Sequence, residues 1–114
     1  MSTNPSSAPA AGADALSIAH DELVAGLNSG SLALVDVREP DEYAAGHIPG
    51  AVNLPMSHFD AALLPKDKPV ALVCQTGRRS GIALAQARAA GRADVRHYAL
   101  GTKGWRDGGG PLER

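Results

Sequence analysis

The sequence predicts an α/β fold in which a central parallel sheet of five strands is flanked by helices on both faces. Short apolar runs, each long enough for one strand, alternate along the chain with segments of helical spacing. The run Val70–Val73 contains no polar residue, which is typical of a parallel strand covered on both faces. The sequence has no internal repeat and no heptad pattern. These observations favour a single sheet with right-handed crossovers.

Strands are predicted at five places along the chain, at residues 15–18, 32–37, 51–54, 70–73 and 95–100. The intervening segments predict helices that begin near residue 20, cover residues 41–45 and 56–64, run from residue 80 to 90, and form a last turn after residues 101–105. Glycine ends three of these helices, at Gly30, Gly46 and Gly91. Pro40 fits the first turn of the second helix, and Ser80 is a candidate cap for the fourth.

The composition limits the classes of function. A length of 114 residues fits one domain, and a net charge of -1 gives no reason to expect nucleic acid or a membrane surface as a partner. The single cysteine rules out an internal disulfide and a multi-thiolate metal site, so we expect no metal and no cofactor. A lone thiol suits a reducing compartment, and neither a transmembrane run nor a signal peptide is evident. We therefore expect a cytoplasmic location.

The two ends of the chain differ in composition from its centre. Residues 1–14 are mainly Ser, Ala, Pro and Gly, which cannot bury enough surface to offset the entropy of ordering. The sequence therefore predicts a disordered N-terminal tail over 1–14 and a folded domain over 15–110. The three glycines at 108–110 and the proline that follows predict a frayed C-terminal tail over 111–114.

The most informative stretch joins the apolar strand 70–73 to the start of a helix. Cys74 follows the strand directly, and Gly77 allows the loop to turn without steric cost. The N–H groups of the helix start and the guanidinium of Arg79 would then surround a small anion or a sulfur anion. The same surroundings favour the thiolate over the thiol, so Cys74 is the predicted nucleophile. The alternative is a small buried core cysteine, which the two adjacent arginines argue against.

Charged residues stand at the end of the predicted strand 32–37 and in the loop that follows the predicted strand 70–73. Arg78 and Arg79 stand where positive charge is disfavoured by the helix dipole, so we expect at least one of them to have an anionic partner. Asp36 and Arg38 end the strand at 32–37 and should reach the same edge of the sheet as Cys74. They could orient the loop, or they could form a structural ion-pair network with the acidic residues that follow, at positions 39, 41 and 42.

Three motifs in the chain resemble those of the rhodanese-like sulfurtransferases. Residues 74–79 are similar to the six-residue active loop C-x-x-G-x-R of that family, and the segments 35–39 and 46–51 are similar to its two other signatures. The resemblance extends from about residue 16 to residue 105. At 101–102 the family usually has two adjacent glycines, and Thr102 takes the second place here.

The resemblance implies a rhodanese-like fold and an enzyme that moves a sulfane sulfur through a persulfide on Cys74. The donor would be thiosulfate or a similar compound, and the acceptor a thiol, a cyanide-like nucleophile or a sulfur-carrier protein. Within the resemblance the Asp-x-Arg signature is chiefly architectural, and His47 holds its loop together. The residues that would carry the activity are Cys74 as the catalytic residue, Gln75, Thr76, Gly77, Arg78, Arg79 and Ser80 as substrate-binding residues, and Asp36 and Arg38 as supporting residues.

Three other functions share some of these residue types. A Cys–His dyad with His47 is disfavoured because the motif indicates no Asn or Asp partner. Phosphatases and arsenate reductases use a longer Cys-x5-Arg loop, whereas the sixth position after Cys74 is Ser80. A non-catalytic redox-sensing or protein-interaction module with this fold is disfavoured by the presence of both Cys74 and Arg79.

Overall fold

Four parallel strands form the centre of the fold in the computed structural model, which describes residues 16–114. They lie in the order β2-β1-β3-β4 across the sheet. The strands are β1 (Ala33–Asp36), β2 (Val52–Asn53), β3 (Val70–Val73) and β4 (Val95–His97). The helices are α1 (His20–Ser29), α2 (Pro40–Ala45), α3 (Arg78–Ala89) and α4 (Gly101–Asp107), with 3-10 turns at Met56–His58 and Ala61–Leu63.

The α/β class and the parallel sheet are confirmed, but the predicted fifth strand is reduced to one bridge. Ser17 pairs in parallel with His97, and the Ile18 amide donates to the His97 carbonyl at 2.9 Å. Helix α1 begins at His20, so this pairing has no room to extend toward the C-terminus. The described residues therefore hold four strands rather than five. The predicted tail over 1–14, and residue 15 of the predicted strand, lie outside the described part of the chain.

Both faces of the sheet carry apolar core, because side chains alternate along each strand. On β3, Val70 and Leu72 face one core cluster, and Ala71 and Val73 face the other. The first cluster also contains Cys74 and the buried side of α3, and the second contains Tyr98 and Trp105. This explains why β3 has no polar residue. It also places the Cys74 side chain on the α3 side of the sheet.

Two segments differ from the sequence-based expectation. The predicted helix at 56–64 is a pair of 3-10 turns instead, because Asp60 caps a new turn by accepting a hydrogen bond from the Ala62 amide at 2.9 Å. Leu64 is buried there, as predicted, but Leu63 is exposed. The C-terminal residues, expected to fray, run back over the loop after α2. Glu113 and His47 exchange two backbone hydrogen bonds of 2.9 Å, which replace the water that a frayed end would bind.

Candidate active site

Cys74 is the first residue beyond β3, and its sulfur lies in front of the N-terminus of α3. Gly77 is the N-cap of that helix, with a φ of 95°. The Gly77 amide donates to Sγ of Cys74 at 3.1 Å, and the Ser80 amide donates at 3.3 Å. The Ser80 hydroxyl oxygen lies 3.6 Å from the same sulfur. The predicted cradle of donors is therefore present, although Cys74 itself is only 1% exposed.

The hydrogen-bond donors around the sulfur change the pKa of the Cys74 thiol. Burial raises the pKa of Cys74, but hydrogen bonds from the amide and hydroxyl of Ser80 lower it, as do the amides of Thr76 and Gly77. The donors prevail, and the pKa of the thiol lies below its ordinary value. Hydrogen bonds to the charged form of a group favour that form. At a given pH the thiolate, the reactive form of cysteine, is therefore more populated here than in an unperturbed cysteine.

We expect alkylation of Cys74 by iodoacetamide to rise with pH around a midpoint below that of an unperturbed cysteine. A lowered pKa keeps the thiolate populated at lower pH, so the rate reaches its plateau earlier. The same protein in concentrated urea supplies the control, because its amides no longer face the sulfur. Since the chain has one cysteine, the label reports this site alone. Coincident midpoints in buffer and in urea would contradict the expectation.

Gly77 occupies a position at which a residue with a side chain would be strained. A Cβ atom there would lie 2.5 Å from the Ala99 carbonyl oxygen, on a backbone with positive φ. We expect Gly77→Ala to lower the free energy of unfolding by about 1–3 kcal/mol and to raise the pKa of Cys74, because the amide must move away from the sulfur. Urea denaturation and the alkylation profile measure the two effects.

Gly91→Ala is the matched control for this substitution. Gly91 has nearly the same φ, 96°, but a Cβ atom added there would have no neighbour within 4 Å, and the residue follows α3 far from the loop in sequence. It should therefore show the backbone strain without the clash and without a change at Cys74. A Gly77→Ala variant no less stable than Gly91→Ala would show that contact with Ala99 does not matter.

The start of α4 holds the other side of the loop. The Thr102 amide donates to the Cys74 carbonyl at 2.8 Å, and the Lys103 amide donates to the Gln75 carbonyl at 3.1 Å. The Thr102 hydroxyl also donates to Oε1 of Gln75 at 2.8 Å. Thr102, which departs from the usual pair of glycines, is thus a buried residue that fixes the Gln75 side chain.

The two loop arginines have different surroundings. Arg79 forms a bidentate ion pair with Glu42 of α2, with Nη1–Oε1 and Nη2–Oε2 distances of 2.6 and 3.0 Å. Its hydrogen bonds to Glu42 raise the pKa of Arg79, and the nearby Cys74 and Asp36 charges add to the effect. Arg78 is exposed. The expectation that one of the two arginines has an anionic partner is confirmed for Arg79.

Asp36 and Arg38 form a buried ion pair at the end of β1. Arg38 donates to Asp36 through Nη2 at 2.8 Å, through Nε at 3.0 and 3.1 Å, and through its backbone amide at 2.9 Å. Nη2 also donates to the Gly46 carbonyl at 2.7 Å. The pair thus ties β1 to the end of α2. Arg38 is paired with Asp36 rather than with the acidic residues at 39, 41 or 42.

Comparisons with known proteins place the chain in one family. The family model described as Rhodanese-like domain matches residues 19–107, well over half of the chain. The chain belongs to the rhodanese-like domain family. The thiosulfate:glutathione sulfurtransferase of Homo sapiens is 37% identical to this rhodanese-like domain over 111 residues, which cover 83% of the chain and 95% of the human protein.

Further similar proteins include a much larger relative and a solved structure of similar size. The probable adenylyltransferase/sulfurtransferase MoeZ of Mycobacterium tuberculosis is 43% identical over 84 residues, 69% of this chain. The chain spans only 21% of the length of MoeZ. The structure of a human single-domain sulfurtransferase has a TM-score of 0.72 at 33% identity and covers 81% of this chain and 96% of the human one.

Only some of the predicted loop residues of the rhodanese-like domain lie at the sulfur. Cys74, Gly77 and Ser80 meet at the sulfur, while Gln75 turns toward Thr102 and Thr76 is exposed. The prediction that Ser80 caps the helix is wrong: α3 begins at Arg78, and the Ser80 hydroxyl lies inside its first turn, 3.2 Å from the Gly77 carbonyl oxygen.

Two histidines, His47 and His97, have well-defined partners in the structure. His47 stacks on Tyr43 with ring centres 3.8 Å apart, and its Nδ1 lies 2.9 Å from the Tyr43 carbonyl oxygen. It therefore holds its own loop, in agreement with the resemblance. His97 is absent from the residues predicted from sequence, yet its Nδ1 lies 2.9 Å from the Ser80 hydroxyl. No signal was available from strand position, because the predicted strand ran to residue 100, whereas β4 ends at His97.

The described residues contain neither a group of metal ligands nor a membrane-spanning helix. Within residues 16–114, no three His, Cys, Asp or Glu side chains are grouped so that they could hold a metal ion. No helix over the same residues has the length and hydropathy required to cross a bilayer.

Proposed function

We propose that the chain is a sulfurtransferase that takes a sulfane sulfur from thiosulfate or a similar donor and passes it to a thiol or a cyanide-like acceptor. The observation that carries the proposal is the pair of backbone amides, from Gly77 and Ser80, that point at Sγ of Cys74. A persulfide anion needs the same donors as a thiolate. Membership of a family whose relatives include the human thiosulfate:glutathione sulfurtransferase supports the choice of donor and acceptor.

The first half-reaction forms the persulfide. The Cys74 thiolate attacks the outer sulfur of thiosulfate, and a new S–S bond forms as the old one breaks. Sulfite leaves with the bonding electron pair, so the outer sulfur stays on Cys74 and no external oxidant or reductant is required. The amides of Gly77 and Ser80 face the negative charge before and after this step, which is the arrangement that lowers a barrier by electrostatic stabilisation.

The second half-reaction regenerates the thiolate. An acceptor thiolate attacks the outer sulfur of the persulfide, the acceptor becomes a persulfide, and Cys74 leaves with the electron pair. Such an exchange predicts ping-pong kinetics. The acceptors that fit this chemistry are a small thiol and an exposed thiol of a sulfur-carrier protein. A cyanide-like nucleophile attacks the same sulfur and leaves as thiocyanate, and the Cys74 thiolate again leaves with the electron pair. A reducing compartment such as the cytoplasm would keep Cys74 competent.

The arginines have separate proposed roles. Arg78 is exposed, so it can attract an anionic donor to the loop. Arg79 is held in place by its ion pair with Glu42 and brings a positive group near the sulfur, since the Cys74 charge contributes to raising the pKa of Arg79. Because Cys74 is almost fully buried, a donor with a small terminal sulfur fits the loop better than a bulky one.

The test is the mass of the intact protein after incubation with thiosulfate and removal of the excess. We expect an increase of one sulfur atom, located on the peptide that contains Cys74, and its loss when glutathione or cyanide is added. An aryl phosphate assayed in parallel should show no hydrolysis, since the loop lacks the Cys-x5-Arg spacing. No mass increase would refute the sulfur-transfer proposal, and an increase that no acceptor reverses would favour a sensing or interaction module.

A further inference from the structure

The Ser80 hydroxyl stands between the reactive sulfur and a histidine. Its oxygen lies 3.6 Å from Sγ of Cys74, 2.9 Å from Nδ1 of His97 and 3.2 Å from the Gly77 carbonyl oxygen. A hydroxyl has one hydrogen to donate and can accept from other donors. Ser80 is fully buried, so water does not supply additional partners to the hydroxyl. The direction of this one hydrogen therefore depends on its three neighbours.

We propose that His97 is a positioning residue that orients the Ser80 hydroxyl toward the sulfur of Cys74. With a hydrogen on Nδ1, His97 donates to the Ser80 oxygen, and the Ser80 hydrogen is left for the two remaining acceptors, the Gly77 carbonyl and the sulfur. Of these, the thiolate is the stronger acceptor because it is charged. With Nδ1 bare, His97 accepts that hydrogen instead, and the sulfur loses a donor. The inference deepens the proposed function, on which it rests, by naming a residue that acts on Cys74 through another side chain.

The surroundings of His97 suit this role. The residue ends β4, next to β3, with Leu72 as its partner across the sheet, and its backbone pairs with Ser17 and Ile18. Its ring is therefore held on a rigid strand. Burial lowers the pKa of His97, so the imidazole is neutral at neutral pH and carries one ring hydrogen. Placing that hydrogen on Nδ1 needs a change of tautomer only, with no net proton uptake.

The other charged groups near Cys74 are on different elements from His97 and have their own ion-pair partners. Arg79 of α3 is paired with Glu42 of α2, and Arg38 is paired with Asp36 at the end of β1. None of these four has a hydrogen bond to Ser80 or His97 among the contacts described for residues 16–114. A change in the sulfur that follows substitution of His97 therefore acts through Ser80.

The experiment compares two amide substitutions of His97 by the pH profile of Cys74 alkylation with iodoacetamide. In His97→Asn the side-chain amide takes the place of Nδ1 and can still donate to Ser80, whereas in His97→Gln it lies near the former Nε2. We expect the midpoint to rise by about half a unit to one unit in His97→Gln, and to stay near the wild-type value in His97→Asn. Circular dichroism and thermal unfolding confirm that both variants are folded.

Ser80 provides the second arm of the test. Ser80→Ala should raise the midpoint by at least as much as His97→Gln, and the double variant Ser80→Ala/His97→Gln should show no further rise, because both changes act on one hydrogen bond. An unchanged or lowered midpoint in His97→Gln, or additive shifts in the double variant, would overturn the inference. If His97→Gln is unfolded, His97→Leu gives the same comparison against His97→Asn.

The alkylation profile separates this inference from the proposed function. It requires no sulfur donor and no acceptor, so it reads the state of Cys74 directly. A protein that shows the expected profiles but never gains a sulfur atom from thiosulfate would refute the function and leave the role of His97 intact. A protein that forms the persulfide while His97→Gln behaves as wild type would refute the role of His97 alone.

Discussion

Cys74→Ser should reduce transfer of sulfur from thiosulfate to cyanide or glutathione to the uncatalysed background. An alcohol at this position has no accessible anion at neutral pH, and it cannot hold a sulfane sulfur as a stable persulfide. The amides of Gly77 and Ser80 would still point at the oxygen, but they have no nucleophile to stabilise. Thiocyanate formation and persulfide formation of glutathione measure the loss.

The fold should tolerate this change, which makes the activity loss interpretable. Serine is smaller than cysteine and can accept the same two amide hydrogen bonds within the α3 side of the core. Far-ultraviolet circular dichroism and the urea midpoint should therefore stay close to wild type. Activity that persists in a folded Cys74→Ser protein would contradict the assignment of the nucleophile, because the chain has no second cysteine.

Arg38→Ala should lower the free energy of unfolding by about 3–5 kcal/mol, the usual cost of removing one partner from a buried ion pair. Asp36 is fully buried, and the side-chain and backbone donors that compensate its charge come from Arg38. The substitution also removes the donor to the Gly46 carbonyl, so the end of α2 loses its tie to β1. Urea denaturation followed by tryptophan fluorescence measures the change.

Two controls separate burial from charge in this prediction. Lys103→Ala breaks the exposed i,i+4 pair of Lys103 with Asp107, and solvent screening should make its effect small. Asp36→Asn/Arg38→Met removes both charges and should recover part of the stability lost in Arg38→Ala, since no uncompensated charge remains. An Arg38→Ala variant as stable as Lys103→Ala would show that the pair contributes little.

The sequence was sufficient for the fold class and for the position of Cys74 between β3 and α3. An apolar strand, a loop with glycine at its turn and a helix start are local features, and they placed Cys74 in front of the α3 amides correctly. The count of five strands was wrong because a strand at the sheet edge depends on one neighbour only. Ser17 makes a single bridge to His97 there, and the hydropathy of residues 15–18 does not report how far the pairing extends.

The contacts that refine the site depend on register, which a single sequence does not disclose. Ser80 meets His97 because β4 lies beside β3, and Arg79 meets Glu42 because α2 lies beside the loop. These partners are separated by 17 and 37 residues along the chain. Similarly, the glycines at 108–110 suggested a frayed end, whereas Glu113 has a backbone partner at His47. Local composition carries no information on such a partner.

The hydrogen bonds from the start of α4 fix two carbonyl groups of the loop that surrounds the sulfur. Because the amides of Thr102 and Lys103 donate to the carbonyls of Cys74 and Gln75, those two oxygens are held by the start of α4. A lone pair turned inward would repel the anion and reverse the electrostatics of the pocket. A fragment ending before Gly101 would thus keep every letter of the C-x-x-G-x-R signature and still lack the polarity on which a stable sulfur anion depends.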